Sequence, residues 1–343
     1  MSEPAIDRTL HPLPAPAMSD ADAAVLQQNR RVASAFMVAR CEREAARNWD
    51  RFYTNNRDKF FRPKNWTDRE FEQLRASGSD AAGPSTPAAA PAGAKQDGAD
   101  ETAAAEAQLD EAAGASDENT VLLEVGCGPG AMLFPALRKR PKMRAHACDF
   151  SSKAIELVLE HPTYDPARMH AFVADLTSYP LASTLAAHPF GRPTVVSLIF
   201  VLSAIPPRQH AHVMQELARC LPLGGSLIFR DFAHGDLSQL RYHMRKDKTW
   251  EEPSLLRDEE GDMAALYRRG DNTFTTYFRA HDLARLAELA GLEGSIEAVH
   301  QEGFNRKTGQ KLPRRFLQAN WRKVRELPEE PQPAAEGAEG QGT

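Results

Sequence analysis

Three glycines at alternate positions, Gly126, Gly128 and Gly130, follow a short apolar run that ends in Glu124 and Val125. Such a run is typical of a buried parallel strand that enters a tight turn. Glycine is needed in this turn because a Cβ would block a ligand from the backbone, and because such turns often require a positive φ. The loop therefore predicts a binding site for a nucleotide-like ligand.

Acidic residues follow the next two apolar runs. Asp149 comes directly after 143–148, and Asp175 closely follows 169–173. An acid at the first position can accept hydrogen bonds from both hydroxyls of a ribose. The glycine loop alone also fits a dinucleotide-binding turn, so that a nicotinamide-dependent dehydrogenase is the alternative. Both acids, together with Glu124 before the loop, favour S-adenosylmethionine as the cofactor and a methyltransferase sheet.

Charge is distributed unevenly along the 343 residues. The formal net charge is −5, yet segments 77–119 and 326–343 hold fourteen acidic residues and one basic residue, so that the rest of the chain carries +8. A basic body suits a nucleic-acid substrate, although arginine-rich surfaces also serve solubility alone. No apolar run reaches the roughly 18 residues of a membrane span. Four scattered cysteines without a C-x-x-C pair predict reduced thiols, no metal centre, and a cytoplasmic or nuclear protein.

Composition divides the chain into five segments. Residues 1–22 and 326–343 are expected to be disordered ends, and the Ala-, Gly- and Pro-rich acidic insert 77–119 is expected to be disordered as well. Residues 23–76 combine helical patterning with many aromatic and arginine side chains. They are interpreted as a lid and RNA-binding segment, with core packing at the sheet edge as the alternative. Residues 120–325 are interpreted as the catalytic domain.

Apolar runs alternate with amphipathic segments in the catalytic domain, which is the pattern of an α/β fold. Strands are predicted near 121–125, 144–148, 169–173, 195–200 and 225–231. Helices are predicted near 131–139, 152–160, 209–220 and 281–290, and one long helix over 23–47. A closing antiparallel pair is predicted from 292–299 and 315–320, joined by a basic hairpin at 303–311. We therefore expect a class I, Rossmann-like seven-stranded sheet with helices on both faces, and a helical, aromatic N-terminal lid.

Several blocks beyond the glycine loop are distinctive. They are 48–53, 60–61, 66–71, 147–151, 175–177, 198–205, 229–231, 267–273 and 313–318. Through these blocks, over roughly 40–75 and 120–324, the chain resembles the eukaryotic tRNA 3-methylcytidine methyltransferases. The resemblance implies S-adenosylmethionine as the methyl donor and a cytosine in the anticodon loop of tRNA, at position 32, as the acceptor. It also implies that a protein partner such as an aminoacyl-tRNA synthetase is required by some members.

The resemblance also assigns roles to matching positions. The implied cofactor-binding residues are Trp49, Tyr53, Gly126, Gly128, Asp149, Asp175, Leu176 and Ile199. The two aromatic residues would close over the cofactor, and the glycine loop would approach its methionine part. Asp149 would bind the ribose hydroxyls, Asp175 and Leu176 would flank the adenine, and Ile199 would line the methionine side. The chain departs from the family at three positions. Members usually carry Asn where this chain has Ala131 and His where it has Pro206, and they often carry Cys where it has Ala174.

Methyl transfer to N3 of cytosine needs no strong general base, because the neutral ring nitrogen has a free lone pair. It needs in-line geometry without water, and it benefits from an acid near the developing positive charge. Asp231 and Arg230 are the predicted catalytic residues, with Asp231 meeting the cytosine amine or the cation. The alternative for Asp231 is a strand-end carboxylate that pairs with Arg230 or a helix N-terminus.

A cytosine in a folded loop must be splayed out and stacked on a flat side chain before N3 is accessible. The candidates for that surface are Phe60, Phe61, Trp66, Arg230, Asp231, Tyr267 and Arg268. Candidates for phosphate contacts are Arg30, Arg31, Arg40, Arg43, Arg47, Lys307, Lys311, Arg314 and Arg315. Two alternatives remain open: a methyltransferase for a protein or a small molecule, and a non-catalytic subunit that binds the cofactor or tRNA.

Overall fold

The computed structural model describes residues 18–28, 34–58, 60–61, 63–74, 119–244, 249–252, 264–304 and 311–328. The helices are α1 (Asp20–Gln28), α2 (Ala35–Arg43), α3 (Ala45–Asn56), α4 (Thr67–Glu70), α5 (Leu133–Lys139), α6 (Ser152–Leu159), α7 (Leu181–Ala187), α8 (His210–Cys220), α9 (Leu237–His243) and α10 (Ala280–Leu289). The strands are β1 (Val121–Val125), β2 (Arg144–Asp149), β3 (Met169–Val173), β4 (Val195–Ile199), β5 (Ser226–Phe232), β6 (Thr249–Glu252), β7 (Ala264–Arg268), β8 (Phe274–Thr275), β9 (Leu292–Phe304) and β10 (Lys311–Lys323). No helix among these residues is both long and apolar enough to cross a bilayer.

Seven strands form the main sheet in the order β3-β2-β1-β4-β5-β10-β9. Strands β1 to β5 pair in parallel, as Leu122 does with Ala145 on one side and Val195 on the other. Strand β10 runs antiparallel to β5 and β9, as predicted for the closing pair. Strands β2 and β3 follow on one side of β1, and β4 and β5 follow on the other, so that the strand order reverses between β1 and β4. At such a point α/β proteins bind ligands beyond the carboxyl ends of the strands. The predicted fold class is confirmed.

Side chains that alternate along the strands build one core on each face of the sheet. Leu123 on β1 and Leu198 on β4 face a cluster covered by α7, α8 and α10. Leu122 and Ile199 face the opposite cluster, which is covered by α5, α6 and the segment around Phe71. Helices therefore cover both faces, because each parallel strand must bury its side chains on both sides.

The N-terminal region differs from the single helix predicted over 23–47. Its described residues form three helices, α1, α2 and α3. The Ser34 side chain accepts a hydrogen bond from the Met37 N–H and so begins α2, and the chain bends again at Glu44. A serine cap satisfies a free N–H and favours a new helix start over continuation. The basic hairpin predicted at 303–311 lies for the most part outside the described residues.

The prediction also lacked three short helices, α4, α7 and α9, and a small sheet. Helix α9 begins where the Asp236 side chain accepts from the Ser238 N–H. Strands β6, β7 and β8 form a separate antiparallel sheet. Helices α7 and α9 have seven residues each and β8 has two, which is too short for a hydrophobic period to register.

Candidate cofactor and acceptor site

The glycine loop leaves β1 through three residues with positive φ: 59° at Gly126, 54° at Gly128 and 81° at Gly130. A Cβ on Gly126 would lie 2.4 Å from Val201 Cγ2, and one on Gly128 would lie 3.1 Å from the Tyr53 hydroxyl oxygen. The positive φ disfavours a side chain at both positions, and at Gly126 the Val201 side chain also leaves no space for one. The expected positive φ is confirmed at both positions.

Asp149 lies at the end of β2 and is 7% exposed. Its two carboxylate oxygens accept from the Gly128 N–H at 2.8 Å and from the Ser151 N–H at 2.9 Å. A carboxylate offers about four acceptor positions, so that two remain for other donors such as ribose hydroxyls. Burial raises the pKa of Asp149 from an ordinary 3.8 to about 6.

A cavity of about 240 Å³ opens at this edge of the sheet, beneath α2 and α3. Six of the eight predicted cofactor-binding residues lie in its wall: Trp49, Tyr53, Gly126, Asp149, Asp175 and Leu176. Gly128 instead supports the wall through its hydrogen bond to Asp149. The fold thus brings these residues together from four separate segments of the chain.

Helix α3 covers the cavity and is tied to the sheet layer through Asp50. Its carboxylate accepts from the Ser151 hydroxyl at 2.6 Å and from the Lys153 N–H at 3.2 Å, at the first turn of α6. A negative charge at a helix N-terminus is favoured by the free N–H groups and the helix dipole. The Trp49 and Tyr53 rings on the same helix stack with centroids 5.7 Å apart. The predicted lid therefore has an identifiable anchor.

Two charged residues that sequence reasoning missed lie in the cavity wall. Glu42 on α2 and Arg208 after β4 form an ion pair at 2.7 Å. Pro206, one of the departures noted above, lines the same wall. No local motif marks Glu42 or Arg208, because their partnership spans 166 positions and exists only in the fold.

The acid after β3 shapes its own turn. Asp175 Oδ1 accepts from the Thr177 N–H at 2.9 Å and from the Thr177 hydroxyl at 2.7 Å. This local bonding holds Asp175 and the buried Leu176 in the cavity wall. The geometry is compatible with the adenine-flanking role implied by the family resemblance.

The role expected for Ile199 is not met. Ile199 is 4% exposed and packs with Leu122 and Ile228 on the face away from the cavity. The next residue, Phe200, lines the cavity instead and has a φ of +61°. A non-glycine residue held in this region costs of order 1–3 kcal/mol and is found mainly at functional sites. Phe200 is a candidate site residue that the sequence pattern did not single out.

Arg230 is not positioned for catalysis, in contrast to the sequence-based expectation. Its side chain is 1% exposed and its guanidinium forms an ion pair and short hydrogen bond with Glu70. The guanidinium carbon lies 4.3 Å from the centre of the Trp66 ring. Arg230 therefore joins the N-terminal segment to β5, and its side chain lacks the exposure to touch a substrate.

Asp231 is also fully buried. Its oxygens accept from the Ser203 N–H at 2.9 Å and from the N–H of Phe232 at 2.8 Å. Asp231 therefore caps a short 3₁₀ turn, Leu202–Ala204, as in the alternative stated above. Burial raises its pKa to about 6, and the charge of Arg269 opposes that rise. Asp231 is not among the residues that line the cavity.

A lysine that sequence reasoning missed reaches the same region. The Lys64 N–H donates to the Ala131 carbonyl at 2.7 Å, and its ammonium lies 5.8 Å from the Phe200 ring centre. Desolvation lowers the pKa of Lys64, while the charges of Glu124 and Asp231 raise it. Burial in turn raises the pKa of Glu124. One basic side chain, Lys64, and two acidic ones, Glu124 and Asp231, thus form a cluster behind the glycine loop.

The predicted stacking residues separate into accessible and buried ones. Phe60 is 58% exposed and packs edge-on against Phe52 and Phe61. Tyr267 is 1% exposed and its hydroxyl is bonded to a ring nitrogen of His243 at 3.0 Å. A buried, bonded ring cannot stack on a base, so that the prediction for Tyr267 is wrong and Phe60 remains a candidate.

Comparison with known proteins identifies the family. A methyltransferase-domain family model matches residues 98–295. The chain is 32% identical over 314 residues to the tRNA N(3)-cytidine methyltransferase METTL6 of Rattus norvegicus, covering 91% of this chain and 90% of that protein. It is 30% identical to the tRNA N(3)-methylcytidine methyltransferase trm141 of Schizosaccharomyces pombe, covering 85% and 97%. The chain therefore belongs to the tRNA N(3)-cytidine methyltransferase family.

Proposed function

We propose that the protein transfers a methyl group from S-adenosylmethionine to N3 of a cytidine in the anticodon loop of tRNA, at position 32. The observation that carries the proposal is the cavity at the β1–β4 reversal, which is lined by Gly126, Asp149, Asp175 and Phe200. Its lining thus combines a carboxylate for ribose hydroxyls with an aromatic ring for an acceptor base. Family membership supports the reaction, and this geometry supports where it takes place.

The residues fit the cofactor on structural grounds. Gly126 lines the cavity with bare backbone, and Asp149 keeps acceptor capacity for two ribose hydroxyls. Trp49 and Tyr53 cover the cavity from above. When bound, the cofactor supplies an electrophilic methyl group on a positively charged sulfur. The protein's part is to hold that methyl in line with the acceptor and to exclude water.

Phe200 is the residue best placed to receive the base. Its ring lines the cavity and packs 5.2 Å from Phe232 and 5.4 Å from Phe316, which fix its orientation. A ring held in this way offers a flat surface for a splayed cytosine. Asp231 follows Arg230, whose carbonyl accepts from the Phe200 N–H at 2.7 Å, and burial raises the pKa of the Asp231 carboxyl group to about 6. The charge of this carboxylate stabilises the positive charge that forms on cytosine as N3 is methylated.

Exposed arginines beside the lid suit the tRNA backbone. Arg43, Arg47 and Arg51 follow one another at four-residue spacing at the end of α2 and along α3, and all three are exposed. Phe60 lies exposed after the same helix. We infer that phosphates of the anticodon stem-loop contact this arginine row. A protein partner such as an aminoacyl-tRNA synthetase would extend this surface, and the protein is expected to act in the cytoplasm.

The test incubates the purified chain with labelled S-adenosylmethionine and tRNA from cells that lack the modification, followed by nucleoside mass spectrometry. We expect 3-methylcytidine from the wild type and none from Asp149→Ala, with Asp165→Ala as an active control outside the cavity. A tRNA transcript with uridine at position 32 should accept no methyl group. A methylated nucleoside other than cytidine would contradict the proposal. Intact cofactor binding without transfer would lead to a second assay with added synthetases, and no transfer there would also contradict it.

A further inference from the structure

Three histidines from separate elements meet below the cavity, at the edge of the main sheet. His146 on β2 and His170 on β3 are register partners on adjacent parallel strands. His188 follows the last residue of α7, the helix that covers this face. One nitrogen from each ring lies within 4.8 Å of the other two. Three imidazoles in one place are a ligand set for a transition-metal ion.

Hydrogen bonding prepares His146 as a ligand. Its Nε2 lies 2.9 Å from the Gly191 carbonyl oxygen, and because a carbonyl only accepts, Nε2 carries the hydrogen. The lone pair of His146 is then on Nδ1, which lies 3.0 Å from His170 Nδ1. A metal-bound histidine usually donates its other N–H to a carbonyl or carboxylate in this way. The Gly191 carbonyl is thus the outer hydrogen-bond partner that a metal-bound His146 would need, and His146 is the fully buried ring of the three.

The other two rings are aligned and accessible. His170 and His188 stack with centroids 4.0 Å apart and an angle of 10° between their planes, and both are half-buried. Phe172 stacks on His170 at 4.7 Å, and Phe190 packs 4.7 Å from His188. Aromatic walls on two sides keep the three imidazoles in place and lower the local dielectric. The partial exposure leaves a path for an ion and a water molecule.

We propose that His146, His170 and His188 bind one Zn²⁺ ion, with water in the fourth position. Tetrahedral zinc with Zn–N bonds of about 2.0–2.1 Å needs ligand nitrogens roughly 3.4 Å apart, each with its in-plane lone pair aimed at the ion. Because the His170 and His188 rings are stacked, one of them must turn out of the stack when zinc binds. Binding replaces the direct His146–His170 contact. The competing interpretation is a histidine–aromatic stack held by hydrogen bonds, without a metal ion.

A zinc ion here would cross-link three elements of the fold. It ties edge strand β3 and the α7–β4 connection to β2. His146 and Cys148 lie two positions apart on β2 and so share a face, and Cys148 lines the cavity. The ion would therefore support the floor of the cavity without contact with cofactor or base.

The experiment uses the full chain without a histidine tag. Zinc is stripped with a chelator, returned by titration against a chromophoric competitor, and counted by mass spectrometry. We expect one equivalent of zinc and a higher melting temperature in the zinc-loaded protein. His170→Ala and His188→Asn should each weaken binding at least about tenfold, since even outer-partner changes cost 10–100-fold. His281→Ala, an exposed histidine on α10, is the matched control and should bind as the wild type does.

Two results would overturn the proposal. One is saturation at less than one equivalent of zinc by the folded wild type. The other is unchanged affinity in both His170→Ala and His188→Asn. Circular dichroism of each variant shows whether it is folded, and because these two side chains are only half-buried, the substitutions leave the fully buried ring intact.

Discussion

Replacement of Arg230 by methionine tests whether this residue is structural, as the fold indicates, or catalytic, as the sequence suggested. The guanidinium is ion-paired with Glu70, stacked over Trp66, and 3.2 Å from the Gln318 side-chain oxygen. The Arg230 and Glu70 side chains are 1% and 13% exposed. Arg230→Met therefore leaves a carboxylate buried without its cation. Burial raises the pKa of Glu70 and the charge of Arg230 lowers it, so that Glu70 would take up a proton more readily in the variant.

The expected cost is large. Removal of one partner from a buried pair destabilises by about 3–5 kcal/mol, whereas replacement of both by apolar residues is often neutral. Arg230→Met should thus lower the free energy of unfolding by that amount, and Arg230→Met with Glu70→Leu should recover most of it. Glu70 belongs to α4, so that the single variant should also loosen the N-terminal segment from the sheet.

Urea unfolding followed by circular dichroism measures the free energy, with Arg138→Met as a control at an exposed position on α5. A free energy of unfolding of Arg230→Met within about 0.5 kcal/mol of the wild-type value, as is usual for surface substitutions, would refute the reasoning. If such a variant also bound cofactor normally and lost methyl transfer, a direct catalytic role for Arg230 would follow.

Three further perturbations test the site. Because the pKa of Asp149 is raised to about 6 in the fold, cofactor affinity should fall about tenfold per pH unit below pH 6. Ionisation of this buried carboxyl group also lowers the free energy of unfolding as pH rises from 3.8 through 6. Calorimetry from pH 5 to 8 should find the pH dependence of cofactor binding absent in Asp149→Asn. Asp50→Ala removes the anchor of α3 and should cost about 0.5–2 kcal/mol of stability and weaken cofactor binding, with partial rescue by Asp50→Asn. In urea unfolding, Gly126→Ala should be more destabilising than Gly191→Ala. Both glycines have a positive φ, but only a Cβ at Gly126 would meet a side chain within 4 Å. Equal losses of unfolding free energy would show that backbone strain alone decides.

Much of the catalytic domain could be predicted because its signals are local. Each of β1 to β5 is a short apolar run, because strands in the middle layer of an α/β fold are buried. The predicted bounds of all five strands lie within about two residues of the observed ones. The positive-φ turn at Gly126 and Gly128 was equally readable, since glycine is the residue that such a turn admits. The N-terminal helices were harder because their breaks depend on a single cap at Ser34 and a bend at Glu44.

The sequence by itself determined the α/β class, the glycine loop and the acids that follow the strands. Each depends on residue type within a few positions, where backbone sterics and hydrophobic periodicity act. Only the tertiary structure decided the partnerships. It paired Arg230 with Glu70 across 160 positions, placed Phe200 rather than Ile199 in the cavity wall, and brought three histidines together. Such contacts depend on which elements become neighbours in the packed chain, and no local pattern encodes that.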